Sequence, residues 1–487
     1  MPAGRKLFTN VAMLGGFKVG SDLFVFAMFI AVARHYGSHG LGEYAFAMAI
    51  TSFAAMLCNF GFEFYAVREV ARDPALESRV FGTLTTVGLA LVALCSAGVL
   101  GLASLLGFET ERGALIASIG LYQILYFFSS VVTGRFIARN EMGIVGRLEL
   151  GLRTSILGGM LLAIELELPL TLAMWAFPLA SVVHLALASL ILARHGRPLR
   201  FGLDREVFAR AWPELWPFGL ALLLQSAYLK IDVLVLGALA SEADLGHYAA
   251  AFRPIFGVLT VAGVASSATY PIFSRLHAES RAILREQIAR VVSWFLIAAV
   301  LIGLACVCLA GPLLRLLYGP GFESAVPIFR ILALDLVVSA LVRVFHRFLG
   351  AVDRQRAFLQ AMGIGICLNT GLCVPLVFHL GGLGAALATL VSESFALWLL
   401  YRQARADGYG VGLARQLLRA ALGSAAGLGV FEVVRELAGP AQGAWLGALG
   451  ALPVCLAVML ALGVIPRGEV AQARAFLLTR WRAILAG

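Results

Sequence analysis

From Phe8 to Val464 one apolar run follows another, and the connections between them are short. A helix needs about 20 mostly apolar residues to cross the hydrocarbon core of a bilayer. No polar block between the runs is large enough for a soluble domain. The chain therefore reads as one all-α, polytopic integral membrane protein. Its composition agrees, with 60% hydrophobic and 14% charged residues, where soluble domains are roughly half apolar and about a quarter charged.

About fourteen spans are predicted on this length criterion, at 8–33, 44–66, 81–106, 114–137, 147–165, 169–193, 214–239, 245–273, 289–317, 323–348, 357–379, 381–402, 412–434 and 441–464. The arginines provide an independent check. One set of connections carries clusters such as Arg194, Arg197, Arg200, Arg205 and Arg210, or Arg402, Arg405, Arg415 and Arg419. The alternate set carries at most one arginine each, namely Arg34, Arg112, Arg315 and Arg435. The positive-inside rule places the clustered set, and with it both termini, in the cytoplasm. Those loops account for most of the net charge of +10, so basicity implies no nucleic-acid partner. The first apolar run follows Arg5 and Lys6 and is interrupted by Lys18 and Asp22. It is expected to remain as the first span rather than leave as a signal peptide. The seven cysteines all lie in apolar runs without metal-ligand spacing, so packing is their expected use.

LGEYAFA at 41–47 recurs as LGHYAAA at 245–251 and matches at five of seven positions. Each copy follows a span that carries charge and opens the next span. Arg135-Phe136 and Arg347-Phe348 are a second echo. The spacing predicts two parallel six-helix lobes, 1–195 and 214–405, joined by a cytoplasmic segment at 196–213 and followed by two extra helices and a tail at 406–487. Parallel repeats of this kind place a transport pathway between the lobes. No extracytoplasmic connection exceeds about a dozen residues, which disfavours an enzyme with an active site on that face. The phosphate-binding pattern GxxxxGK[ST] is absent, so direct ATP hydrolysis is excluded.

The charges inside the spans are the candidate functional residues. A charged side chain at the bilayer centre costs about 2.5–3.5 kcal/mol on insertion scales and normally faces a partner or water. The chain has only three lysines, and Lys18 and Lys230 both fall within spans. Lys18 and Asp22 are four residues apart and can pair on one helix face, whereas Lys230 and Asp232 point to different faces. Arg253 precedes Pro254 in the eighth span, and the tenth contains Arg330, Asp335, Arg343, His346 and Arg347. Lys18, Lys230, Arg253 and Arg330 are the candidates for binding an anionic substrate. Asp22, Asp232 and Asp335 are candidates for ion coupling or for counter-ions. Arg135, Arg343 and Arg347 are candidates for an inner gate or a phosphate contact, although snorkelling to the interface also accounts for the last two. Glu63, His184 and Glu393 are isolated ionisable groups that could carry a proton or simply bond between helices. No organic cofactor is expected, and coupling would use H⁺ or Na⁺.

The repeated motif, NFGFEFYAVREVAR at 59–72 and LLYGPGFESAVPIFRILALDLVVSALVRVFHRFLGAVDRQR at 316–356 together resemble the polysaccharide-lipid flippases of the MOP superfamily, which also includes lipid II flippases and MATE exporters. The resemblance implies two six-helix lobes that alternate between inward-open and outward-open states. It implies movement of an undecaprenyl-diphosphate-linked oligosaccharide to the periplasmic leaflet of a bacterial inner membrane. The sugar would pass through a cationic cavity while the polyprenyl tail stays in lipid, and a polysaccharide polymerase or export machinery would be the protein partner. Lys18, Lys230 and Arg253 match the family's cavity cations in character. A lipid II flippase, a MATE-type exporter of organic cations, and a membrane scaffold or glycan-processing enzyme are the alternatives.

Overall fold

The computed structural model describes residues 3–105, 110–196 and 201–464. Among the described residues the chain is helical throughout and has no strand. The helices are α1 (Ala3–Asn59), α2 (Phe62–Arg72), α3 (Glu77–Leu105), α4 (Thr110–Ala138), α5 (Met142–Glu165), α6 (Leu170–Ala173), α7 (Ala176–Arg194), α8 (Arg205–Leu239), α9 (Glu242–Glu279), α10 (Arg281–Tyr318), α11 (Ala325–Ala351), α12 (Gln355–Leu380), α13 (Gly382–Ala406), α14 (Leu413–Ala438) and α15 (Pro440–Ala461). Ten helical segments of the described residues are long and apolar enough to cross a membrane. This is a multi-pass membrane protein. Further long helices include α5, which spans 24 residues and carries Arg147, Glu149 and Arg153.

Two departures from the expected spans have local causes. The first two predicted spans form one 57-residue helix, α1, broken only at Gly37 with φ 68° and ψ −167°. The second span ends at Asn59 rather than at residue 66, because Gly61 turns the chain with φ 81°. Beyond it, α2 buries Phe62, Ala66 and Val70 at a four-residue spacing. Its other face carries Arg68 and Arg72, both held by Glu69. That pattern makes α2 an amphipathic surface helix, not the end of a span.

The chain divides into two compact units, residues 1–249 and 250–487. In the first, α1 packs on α4, α5 and α8, and α4 packs on α7. The two copies of the repeated motif meet within this unit. A Cβ on Gly42 would strike the Glu242 carbonyl, and a Cβ on Gly246 would strike the Ser38 carbonyl. Only hydrogen side chains allow this reciprocal approach. Arg112 clamps the contact by donating to the Gly237 carbonyl at 2.8 Å and to Glu242 at 3.2 Å.

In the second unit α10 packs on α11, α14 and α15, and α11 packs on α13. One continuous core runs from Phe273 through Leu296, Phe345 and Leu400 to Met459. The last two helices approach closely at glycines, with Gly423 and Gly427 of α14 against Cys455 and Ala451, and Gly443 and Gly447 of α15 against the backbones of Arg435 and Phe431. Lipid tails are as apolar as leucine, so close backbone approach and dispersion, rather than hydrophobic exclusion, hold such a pair together.

Candidate functional site

A cavity of about 530 Å³ opens in the first unit between α1, α2, α4, α5 and α7. Its lining includes the polar side chains of Asn59, Glu63, Gln123, Tyr126, Ser129, Ser130, Thr133, Glu149 and His184. The turn at Gly61 is what brings Glu63 here, because it starts a new helix two residues earlier. The Glu63 carboxylate lies within hydrogen-bonding reach of the Asn59 and Ser130 side chains.

Glu149 and Arg153 are four residues apart on α5 and pair across one turn, with Nη2 and Oε1 at 2.7 Å. Arg153 also donates to the Tyr122 hydroxyl at 3.0 Å and stacks over the Tyr126 ring at 5.4 Å. Its charge is thus answered by a carboxylate, a hydroxyl and an aromatic face. The partners described for Glu63 are the neutral side chains of Asn59 and Ser130. His184 enters from α7, is 4% exposed, and makes no hydrogen bond through either ring nitrogen among the described residues. Among the described residues the cavity therefore brings together the Glu149–Arg153 pair, the Glu63 carboxylate among neutral donors and the His184 imidazole, with Lys230 at its edge. Such a set can take up or release a single positive charge without first breaking an ion pair. Among the described residues, no group of three His, Cys, Asp or Glu side chains is placed to hold a metal ion.

The residues singled out in the sequence fall in several places. Lys230 donates to the Ser52 hydroxyl, and Ser52 lines the cavity, so α8 delivers its lysine to the cavity edge. Asp232 turns elsewhere, as the spacing requires, and accepts a 2.5 Å hydrogen bond from Tyr248 of the second motif copy. Asp22 is exposed on α1. The side chain of Lys18 lies outside the described residues. Arg135 is 2% exposed and lies over the Phe81 ring at 5.2 Å.

In the second unit Arg253 is half-buried and lies in the electrostatic range of Tyr318. Asp335 is buried and accepts from Ser339 at 3.3 Å, while Arg343 donates to the Ser339 carbonyl at 2.8 Å. Arg347 is half-buried on the same helix. Arg330 is exposed and lines a different cavity, among α10, α14 and α15. Glu393 is buried on α13. Glu63 and His184 were isolated ionisable residues in the sequence, and Glu149 and Arg153 were charges at the start of a span. Packing brings the four together. The one local signal was the four-residue spacing of Glu149 and Arg153.

The fold is similar to that of solved transporters. The lipid II flippase MurJ in its inward closed conformation is 14% identical, with 94% of this chain and 100% of that one covered at a TM-score of 0.73. An inward-facing multidrug resistance MATE family transporter of the MOP superfamily is 16% identical, with 80% and 94% covered at 0.58. A MOP superfamily transporter from Pyrococcus furiosus, described by the reverse polarity of its binding pocket, is 16% identical, with 82% and 94% covered at 0.54. No curated protein matches the chain. The MatE family model matches residues 217–375. The polysaccharide biosynthesis protein model matches residues 7–277, more than half of the sequence. The chain is a member of the polysaccharide biosynthesis protein family and has the MOP-superfamily fold.

Proposed function

We propose that this protein is a secondary transporter that flips an undecaprenyl-diphosphate-linked oligosaccharide from the cytoplasmic to the periplasmic leaflet of a bacterial inner membrane. The observation that carries this reading is the family match over residues 7–277, joined to a likeness to a lipid flippase that takes in 94% of this chain. The MATE likeness extends over 80%. In this reading Lys230 and Arg253 answer the diphosphate, because fixed cations recognise phosphate oxygens through charge-assisted hydrogen bonds. The protein binds and moves its cargo without changing covalent bonds, and a polymerase or export assembly receives it.

Alternating access requires contacts that close one face and release on opening. The reciprocal approach of Gly42 and Gly246, clamped by Arg112 and Glu242, has the close fit that such a seal needs. We assign the coupling ion, H⁺ or Na⁺, to the cavity that holds Glu63, with Asp22, Asp232 and Asp335 as the further acidic groups of the spans.

The first test is mass spectrometry of lipid-linked glycans in cells depleted of the protein, with leaflet location read by a probe confined to the periplasm. A complete oligosaccharide trapped on the cytoplasmic side is the expected result. Normal surface polysaccharide with no accumulation would overturn the reading. In normally expressed protein, Lys230→Ala and Arg253→Ala are each expected to slow translocation roughly tenfold or more, the scale of one lost charge-assisted contact. Unchanged transport in both would remove the cationic-cavity mechanism.

A further inference from the structure

A second polar region lies at one end of the second unit, where α10 and α14 finish and α11 and α15 begin. Two cavities there, of about 560 and 470 Å³, share Gly311 and Pro312 of α10. The first is also lined by Arg315, Phe322, Glu323 and Trp445, the second by Arg330, Arg435 and Glu436. The shared wall follows from the sequence. Glycine contributes no side chain, and a Cβ built at Gly311 would meet open space. Proline has no N–H to donate and loosens the helix beside it.

The charge rule for membrane proteins leaves few arginines at this end, and three of them gather at these cavities. The basic connections of this unit lie at the opposite ends of the same helices, around Arg281, Arg354, Arg405 and Arg415. The end that carries the cavities should therefore be poor in arginine. Arg315, Arg330 and Arg435 nevertheless fall within about two turns of it and line one or the other cavity. Local acids answer only part of this charge. Arg435 pairs with Glu432 at 2.5 Å, and the Glu323 carboxylate accepts from the Gly321 amide at 3.0 Å. The Arg315 and Arg330 guanidinium groups have no hydrogen-bond or ion-pair partner among the described residues.

The surroundings favour an amphiphile over a soluble ion. Leu316, Leu334, Leu437, Leu446 and Leu449 are all at least half exposed on the same helices. Trp445 is 43% exposed, suited to the depth where indole rings settle between tails and head groups. A molecule seated here would lay its chains on leucines and its charged group against guanidinium.

We propose that this end of the second unit is a binding site for the phosphate-bearing head group of a lipid, in the leaflet opposite the basic connections. Guanidinium groups match phosphate oxygens in geometry as well as charge. The site requires only that the chain is membrane-embedded, not that it is a flippase.

The test is native mass spectrometry of the full-length protein released from nanodiscs. These contain phosphatidylcholine with either phosphatidylglycerol or a short-chain polyprenyl phosphate. Wild-type protein is expected to retain the anionic lipid over phosphatidylcholine. The triple variant Arg315→Gln/Arg330→Gln/Arg435→Gln is expected to lose that preference by roughly tenfold or more. The triple Arg→Lys variant, which keeps the charge, should restore part of it and shows that the Gln effect is not misfolding. Equal retention by wild type and the Gln variant would overturn the site. Displacement of the lipid by millimolar inorganic phosphate would overturn its assignment to a lipid in favour of a free anion. Translocation is not read, so failure here and failure of the flippase reading are distinguishable.

Discussion

The cavity of the first unit and the paired cavities of the second solve opposite problems. The first lies among spans and holds both signs of charge, with Arg153 tied to Glu149 and the Glu63 carboxylate among neutral donors. The second lies at helix ends and includes two arginine side chains without a described partner. Charge sealed away from water must be neutralised nearby, because an isolated ion in a low-dielectric setting is very costly. Charge at the interface can remain unanswered because water and head groups solvate it. The first arrangement suits a small cation or proton, and the second suits a bulky anion arriving from the bilayer surface.

The comparison is broken most directly at Glu149. Glu149→Leu leaves the Arg153 charge without its carboxylate, and a loss of about 3 kcal/mol is expected. This is the lower end for a buried pair, because the two side chains are 29% and 18% exposed. Thermal unfolding in detergent measures it. Arg435→Gln at the other site should cost under about 1 kcal/mol, as exposed pairs do. Similar losses in both variants would mean that the two environments do not differ as described.

A smaller effect on stability, but a larger one on coupling, is expected at Glu63. Glu63→Gln keeps the hydrogen bonds and removes the ionisable group, so stability should change by about 1 kcal/mol or less. Transport driven by an imposed ion gradient should become insensitive to that gradient, as read in proteoliposomes. Retained gradient dependence would move coupling to Asp232 or Asp335.

The smallest effect should come from a surface charge that belongs to neither cavity. Asp204 caps α8, accepting from the amides of Glu206 and Val207, and pairs with Arg79 at 2.7 Å. The hydrogen bond from Arg79, followed by the Val207 amide, holds its carboxyl below the usual carboxylate range. A carboxyl depressed in the folded state stabilises above its unfolded pKa, and that stabilisation disappears as pH falls through the lowered folded value. Amide exchange at 205–209 should therefore accelerate only in acid, below about pH 4. Asp204→Asn, which keeps the cap, should flatten this pH dependence, and an unchanged profile would assign the acid response to another group.

Much of the fold was legible because crossing a bilayer is a property of consecutive residues. The apolar runs predicted nearly every long helix, and the repeated LGxYA motif marked two segments that pack reciprocally through Gly42 and Gly246. Boundaries moved where backbone chemistry overrode hydropathy. Gly61 ended a span early and turned 62–72 into a surface helix, as the alternation of Phe62, Ala66 and Val70 with Arg68 and Arg72 had encoded.

Sequence alone settled that the chain is a bundle of membrane helices and which connections are basic, since both depend on residue type along a line. It also settled that Lys230 and Asp232 face different ways, because two residues turn a helix by about 200°. Tertiary structure alone decided that Glu63, Glu149 and His184 share one cavity and that Arg330 joins Arg435 at another, beside the one that Arg315 lines. Those meetings depend on how each helix is rotated and which neighbour it packs against. Contacts between residues far apart in the chain fix these features, and no short stretch of sequence contains them.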